Sequence, residues 1–465
     1  MGQFLRAGAV LLLVMTAARA AQATSPSSSP ARLNVLLIIA DDLRPELGCY
    51  GVSAINTPNI DRLSARGRQF DFAYCQYPVC NPSRVSFLTG LRPDQTGVLD
   101  NNTAFRAKLP NIITLPQQFR RNGYFTASLG KVFHHGNTPR DARRDMDDPR
   151  SYDELKYFSV TRNGITGEGR NMSAGAIDWC FWLAANGTDE DQPDGQIAER
   201  CVALLGQNKD RPFFIAAGFN KPHDPFVAPK KYFEQYPLDS LAFMPIETVN
   251  ASPLLPNAIA GGWKEEFAKF RDREKREFKR AYYAGTSFVD AQIGKVMAAL
   301  DDLGLAKNTI VIFLGDHGYH LGERGWWNKN TLFEFSCRAP LIILMPDMKR
   351  PGRSTRALVE FVDLFPTLMD YCGLQPPHEL AGKTLRPLLE DPQAEWNRPA
   401  LTQVQRALAT GRSVRTEQWR YIEWSDGGAE LYDMHKDYGN YYNLAAKPES
   451  KDVIAQLKSL LKPAR

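Results

Sequence analysis

The sequence predicts an α/β fold: a large, mostly parallel sheet sandwiched by helices, followed by a small C-terminal α+β subdomain. Three observations lead there. Asn34-Val-Leu-Leu-Ile-Ile-Ala40, Phe213-Phe-Ile-Ala-Ala217 and Thr309-Ile-Val-Ile-Phe-Leu314 are continuous apolar runs, the pattern of strands buried on both faces. Stretches with apolar residues every three or four positions, such as Lys275 to Leu303, lie between them and read as helices. Two of the runs end in polar pairs, Asp41-Asp42 and Asp316-His317, and open α/β sheets bind ligands beyond the carboxyl ends of their strands.

From the N-terminus, Arg6 precedes an apolar run from Ala7 to Met15. Small residues follow at Ala18-Arg19-Ala20 and Ala21-Gln22-Ala23. This is the layout of a cleavable export signal over residues 1–23, so the protein is expected to be periplasmic or secreted, and lysosomal only in a eukaryotic host. Residues 24–32, with Ser25-Pro-Ser-Ser-Ser-Pro30, read as a flexible spacer. No later stretch is apolar for long enough to span a bilayer. The expected catalytic domain covers residues 33–369. Over residues 370–465 the texture changes: Trp419-Arg-Tyr-Ile-Glu-Trp424 alternates like a strand, Ser425-Asp-Gly-Gly428 supplies a turn, and Glu430-Leu-Tyr-Asp433 is the partner strand of a small antiparallel sheet. A final helix starts near Lys451.

Composition narrows the function classes. The 465 residues are 43% hydrophobic and 23% charged, ordinary for a packed enzyme. A net charge of +5 without a basic run gives nucleic-acid binding no support. Seven cysteines at 49, 75, 80, 180, 201, 337 and 372 include no Cys-x-x-Cys pair, which argues against a zinc knuckle or a thioredoxin-type site. Sequons stand at Asn101, Asn171, Asn186 and Asn250.

The sharpest local signal is Cys80-Asn-Pro-Ser-Arg84, followed by Val-Ser-Phe-Leu-Thr-Gly90. Pro82 suits a first helical turn and Gly90 a helix end, so Cys80 stands at a helix N-terminus beside Arg84, where anions are favoured. Alone, such a cysteine is equally a buried or disulfide-bonded one. Asp41, Asp42 and Asp316 are hard oxygen donors of the kind calcium prefers, although Asp41-Asp42 alone could cap a turn.

Together these residues resemble the type I sulfatases, in which the cysteine of Cys-x-Pro-Ser-Arg becomes formylglycine. The resemblance runs over nearly the whole chain after the signal. It is nearest to the iduronate-2-sulfatase-like group, through Gly130-Lys-Val-Phe-His134, Lys221-Pro-His-Asp-Pro225, Asp316-His-Gly318, Leu321-Gly-Glu323, Trp327-x-Lys329, Glu430-Leu-Tyr-Asp433 and Asn443-Leu-Ala. It implies an alkaline-phosphatase-like fold, one calcium ion on Asp41, Asp42, Asp316 and His317 with residue 80 beside it, and formylglycine at Cys80. It assigns Arg84, Lys131 and His134 to the formylglycine hydrate, with His134 the base, and His223 and Lys329 to the sulfate and leaving oxygen. The implied partners are a sulfated carbohydrate, such as a 2-O-sulfated uronic acid of a glycosaminoglycan, and a formylglycine-generating or other sulfatase-modifying enzyme. His135, His320, His378 and His435 fall outside the matched motifs.

Two positions depart from the group: Tyr319 stands where Trp is usual and Arg324 where His is usual. Both are expected at the pocket mouth, with Arg324 poised to grip a substrate carboxylate. Two readings compete: a formylglycine-dependent phosphonate or phosphodiester hydrolase, and a non-catalytic sulfated-glycan binder. The remaining histidines do not supply a two-zinc phosphatase, and a binder has no use for Cys-x-Pro-x-Arg.

Overall fold

The apolar run at the start becomes strand β1 (Asn34–Asp41), every residue of it buried. The structure is a computed structural model, described for residues 1–2, 32–134, 146–241, 251–259, 263–406 and 408–461. The expected export signal and spacer lie outside the described residues except for Met1, Gly2 and Arg32, as do His135 and Asn250. Residues 33–465 form one unit, separate from residues 1–32.

Strands β2 (Arg68–Tyr74), β3 (Phe125–Gly130) and β4 (Glu154–Lys156) join β1 in an eight-stranded sheet. Strands β5 (Gly167–Asn171) and β6 (Phe181–Ala185) begin a second, small sheet. The chain returns to the large sheet with β7 (Phe213–Pro222), adds β8 (Phe226–Pro229) beside β6, and finishes the large sheet with β9 (Thr309–Gly315), β10 (Arg338–Leu344) and β11 (Arg353–Glu360). The order is β11-β2-β10-β9-β1-β7-β3-β4, and β10 alone is antiparallel to its neighbours. The three apolar runs are therefore β9, β1 and β7, side by side in the middle, where both faces must be covered.

Alternation along β1 divides the core. Val35, Leu37 and Ile39 join one cluster with Phe214, Ile312, Val85 and Phe87, the last two on the helix Cys80–Thr89. Leu36, Ile38 and Ala40 join another with Val289, Ile293 and Val296 of the long helix Asp272–Asp302. The helix that carries Cys80 and the helix expected near Lys275 to Leu303 thus lie on opposite faces.

The C-terminal region holds β12 (Ala400–Arg406), β13 (Ala409–Arg415), β14 (Trp419–Trp424) and β15 (Ala429–Asp433) in one antiparallel sheet. The helix Lys451–Leu460 packs Leu457 against Val414, Tyr421 and Leu431. Among the described residues no helix is long and apolar enough to cross a membrane.

Candidate active site

Four adjacent parallel strands, β9, β1, β7 and β3, bring their carboxyl ends to one edge. Ala40 pairs with Gly315, Asp41 with Pro222, and Gly130 with Gly218. The residues that follow are Asp316-His317, Asp42, His223 and Lys131, so one register sets the spacing of four groups distant in sequence. Gly130 closes β3 at φ 70°, and a Cβ there would stand 2.5 Å from the Gly218 carbonyl oxygen. Glycine is what lets Lys131 leave the strand so tightly. Asp42 is also left-handed, at φ 63°, a strained state for a non-glycine residue of the kind that collects at functional sites.

The helix Cys80–Thr89 points its N-terminus at this edge and ends at Gly90, left-handed at φ 70°. Cys80 and Arg84, one turn apart, are both fully buried. Arg84 Nε donates to Asp316 Oδ2 at 2.9 Å and Nη2 to Asp41 Oδ1 at 3.1 Å, so one guanidinium ties two strand ends to the helix. Another of its nitrogens donates to the Lys131 and Val132 carbonyls. Lys131 Nζ donates to Asp41 Oδ2, and Lys329 Nζ to Asp42 Oδ1, with Cys80 Sγ 3.1 Å from Lys329 Nζ.

His317 Nε2 lies 3.4 Å from Cys80 Sγ, 3.4 Å from Asp42 Oδ1 and 3.6 Å from Asp316 Oδ2. Its Nδ1 faces the Gly318 carbonyl at 2.9 Å, which can only accept, so Nδ1 donates there and Nε2 is the nitrogen turned inward. The Asp42 and His317 backbone N–H groups both donate to Asp316 Oδ1. His223 Nε2 is 3.7 Å from Asp42 Oδ2, an oxygen with no hydrogen-bond partner among the described residues. Donor atoms of Asp41, Cys80, Asp316 and His317 all lie within 4.8 Å of one another, and Asp42, Cys80 and His223 form an overlapping group. Three buried carboxylates, one of them with an orphaned oxygen, and an inward imidazole nitrogen fit a hard divalent cation.

Burial and the cations set the charge states. Burial raises the Asp41 carboxyl, but the Lys131 ammonium and the Arg84 guanidinium outweigh it and hold Asp41 well below its ordinary value. Asp42 ends above its ordinary value, because burial and the Asp41 charge together exceed the pull of Lys329. Burial also pushes up the Cys80 thiol, helped by Asp41. A thiol held up in this way is a poor nucleophile as it stands. His134 and His223 are pushed well below the ordinary imidazole range, first by burial and then by Lys131 and Lys329 respectively, and so stay neutral.

Every candidate named from the sequence stands at this edge or within the reach of its charges; His134 is buried and feels Lys131, Asp41 and Arg84. The two departures are placed otherwise than expected. Tyr319 is fully buried, stacked 5.6 Å from Tyr282, with its hydroxyl donating to the Trp327 carbonyl at 3.3 Å. Arg324 donates to the carbonyls of Tyr441 and Ser252, at 2.9 and 3.0 Å. Its planar fork is committed to backbone, so it is not a free cation awaiting a carboxylate.

Three residues of the quoted motifs gain parts that sequence reasoning did not assign. Ser83 Oγ donates to the Asp316 carbonyl at 2.5 Å. Asn81 Nδ2 holds the Asp100 and Thr103 carbonyls, clamping a loop beside Cys80. Asp224, buried beside Asp42, is pushed up to about 7 by burial and by the Asp42 charge. Their positions inside Cys-x-Pro-Ser-Arg and Lys-Pro-His-Asp-Pro were the available signal. His320 bonds Thr331, His378 faces the Thr89 carbonyl, and His435 is exposed, all apart from the cluster.

Known proteins resemble this chain over most of its length. The Sulfatase family model matches residues 33–374, and the model of the N-sulphoglucosamine sulphohydrolase C-terminal region matches residues 322–465. Iduronate 2-sulfatase of Homo sapiens is 34% identical over 487 residues, covering 86% of this chain and 86% of that protein. Phosphonate monoester hydrolase of Agrobacterium radiobacter superposes with a TM-score of 0.74 at 23% identity, covering 92% of this chain and 95% of that one. A 2-O GAG sulfatase superposes with a TM-score of 0.70 at 24% identity, covering 92% and 91%. The two superpositions establish the alkaline-phosphatase-like fold. The family match and the 34% identity establish more: the chain belongs to the type I sulfatases, in their iduronate-2-sulfatase-like branch, and is a sulfuric ester hydrolase.

Proposed function

We propose that this sulfatase is exported and hydrolyses a sulfate monoester on a sulfated sugar, such as a 2-O-sulfated uronic acid, with formylglycine at position 80 and one calcium ion. The observation that carries the reading is the Oδ2 of Asp42, buried without a partner among the described residues 3.7 Å from His223 Nε2, where the group of Asp42, Cys80 and His223 overlaps that of Asp41, Cys80, Asp316 and His317. Asp41, Asp42, Asp316 and His317 would hold the ion, and its charge would stabilise the sulfate oxygens. As formylglycine hydrate, residue 80 supplies two hydroxyls on one carbon, one to attack sulfur and one whose deprotonation expels sulfate and restores the aldehyde. Cys80 Sγ marks where those hydroxyls would stand.

The remaining residues position charge and protons. Arg84 is fixed by Asp41 and Asp316 and so presents a rigid cation to the hydrate. Lys329 Nζ, 3.1 Å from Cys80 Sγ, is placed to protonate the leaving alcohol oxygen, and burial keeps His134 neutral to accept the hydroxyl proton. Lys131 and Lys329 lie on Asp41 and Asp42, and a cation on those carboxylates would release both ammonium groups to an anionic substrate. The iduronate 2-sulfatase similarity supports the substrate class.

Two measurements test this. Trypsin releases Gln69 to Arg84 as one peptide, and in protein made with the modifying enzyme its mass is expected to show the aldehyde at position 80. Only unmodified Cys80 in fully active enzyme would end the formylglycine reading. Calcium is expected to raise the unfolding free energy by about 2.7 kcal/mol at a hundredfold excess over Kd, and chelation to abolish turnover of 4-nitrophenyl sulfate. Full activity after exhaustive chelation would remove the metal. Faster turnover of a phosphonate monoester than of any sulfate would favour the phosphonate hydrolase instead.

A further inference from the structure

Trp263 is the most exposed tryptophan among the described residues, at 37%. One part-exposed ring is ordinary at a protein surface; what singles this one out is a second tryptophan beside it. Trp179 is half-buried and meets it edge to face, with ring centroids 5.1 Å apart at 81°. Two independent stretches of chain connect this pair to the active site. In the first, Trp179 precedes Cys180, and β6 pairs Trp182 with Phe226, three residues beyond His223.

In the second, Trp179 packs on Phe267 with centroids 6.3 Å apart, and Phe267 on Trp326 at 5.3 Å. The Trp326 indole N–H donates to the Lys329 carbonyl at 3.0 Å, and Lys329 carries the ammonium group that reaches Asp42 and Cys80. The pair therefore sits on a row of buried rings that also supports the Lys329 loop. These rings brace it, and Trp263 is in part exposed to solvent.

We infer that Trp263, braced edge to face by Trp179, forms a stacking platform for the sugar next to the sulfated one, so that the enzyme acts on oligosaccharides in preference to small sulfate esters. The inference rests on the sulfated-sugar reading above. The chemistry is general: the C–H face of a pyranose packs on the electron-rich face of an indole, whatever the sugar's substituents. Trp182, by contrast, is buried, and its N–H points to Glu277, so it plays no such part.

The test compares Trp263→Ala, Trp179→Ala and the unsubstituted enzyme on heparin-derived 2-O-sulfated tetrasaccharide, the matching disaccharide and 4-nitrophenyl sulfate. The ratio of kcat/KM for tetrasaccharide to that for 4-nitrophenyl sulfate is expected to fall about ten-fold in each variant, mainly through KM, the scale of one lost aromatic contact. An unchanged ratio in Trp263→Ala, the more exposed of the two rings, overturns the platform. Tryptophan fluorescence of Cys80→Ala protein, titrated with the tetrasaccharide, gives a readout free of turnover. A saturable change that is lost in Cys80→Ala/Trp263→Ala supports the platform, and no change in the Cys80→Ala parent overturns it. If the unsubstituted enzyme were inactive on every sulfate, the sulfatase reading of the site would fail while this titration still judged the platform.

Discussion

Two clusters of fully buried acids and bases hold this molecule together, and they differ in completeness. One is the site. The other joins Glu334 to Tyr74 at the end of β2, to Arg420 on β14 and to Arg415 on β13, tying the antiparallel sheet to the large one. Glu334 has both oxygens occupied: Oε1 accepts from the Tyr74 hydroxyl at 2.8 Å and Oε2 from Arg420 Nη2 at 2.5 Å. Burial pushes its carboxyl up, but Arg420 and Arg415 more than offset this and leave it below its ordinary value. At the site, Asp42 ends above its ordinary value and one of its oxygens has no partner among the described residues. Burial is the same in both. A buried carboxylate whose bonds are all made is a strut, and one left short is a place for a ligand.

The largest expected effect separates the two. Asp42→Asn keeps the shape and removes the surplus charge, so turnover should drop at least about 10³-fold, roughly 4 kcal/mol of transition-state stabilisation. Its unfolding free energy without calcium should change by less than about 1 kcal/mol, and the calcium-dependent stabilisation should disappear. Glu334→Gln should do the reverse, costing about 3–5 kcal/mol of stability because Arg420 and Arg415 are left as uncompensated buried charges. Its kcat per folded molecule should stay near that of the unsubstituted enzyme.

The pH dependence sharpens the contrast. A depressed folded pKa means that the Glu334 contribution is complete above the ordinary value of 4.5 and is lost as pH falls through the lower folded value. The stability gap between Glu334→Gln and the unsubstituted enzyme, measured by denaturant unfolding, should therefore narrow below pH 4.5. A gap that widened there, or an Asp42→Asn protein as unstable as Glu334→Gln, would break the distinction between strut and site.

The same contrast explains what could be read from the chain in advance. The central strands were legible because each is a local apolar run, and the site was legible because its groups follow those runs directly at Asp41-Asp42 and Asp316-His317. β10 was harder: its Pro340 argues against a strand, yet the pairing with β2 shifts register between Ala339 and Leu341 and absorbs it. The Glu334 cluster had no local signature, since its partners Tyr74 and Arg420 lie 260 and 86 residues away. Complementary pairing over such separations leaves no motif.

Arg324 is the residue on which local and distant information disagree most, and its expected effect is the smallest. Its place after Leu321-Gly-Glu323 suggested a free fork at the pocket mouth. In the structure the carbonyls of Tyr441 and Ser252, 117 and 72 residues away, accept from its two terminal nitrogens. Its guanidinium also lies 5.7 Å from the Phe333 ring and 5.6 Å from the Tyr441 ring, a second use of the same charge. Arg324 is then a staple in the sense that Glu334 is a strut. Arg324→Ala should cost about 1–2 kcal/mol of stability, the worth of hydrogen bonds from a charged donor at a half-buried position. Lysine, a single point donor, should recover little of it, because two carbonyls need two donors in a fixed plane. Activity on a 2-O-sulfated uronate and on 4-nitrophenyl sulfate should fall by the same small factor. A loss of more than about ten-fold confined to the uronate would show that the fork leaves these carbonyls to grip the substrate, placing Arg324 with the site and not with the struts.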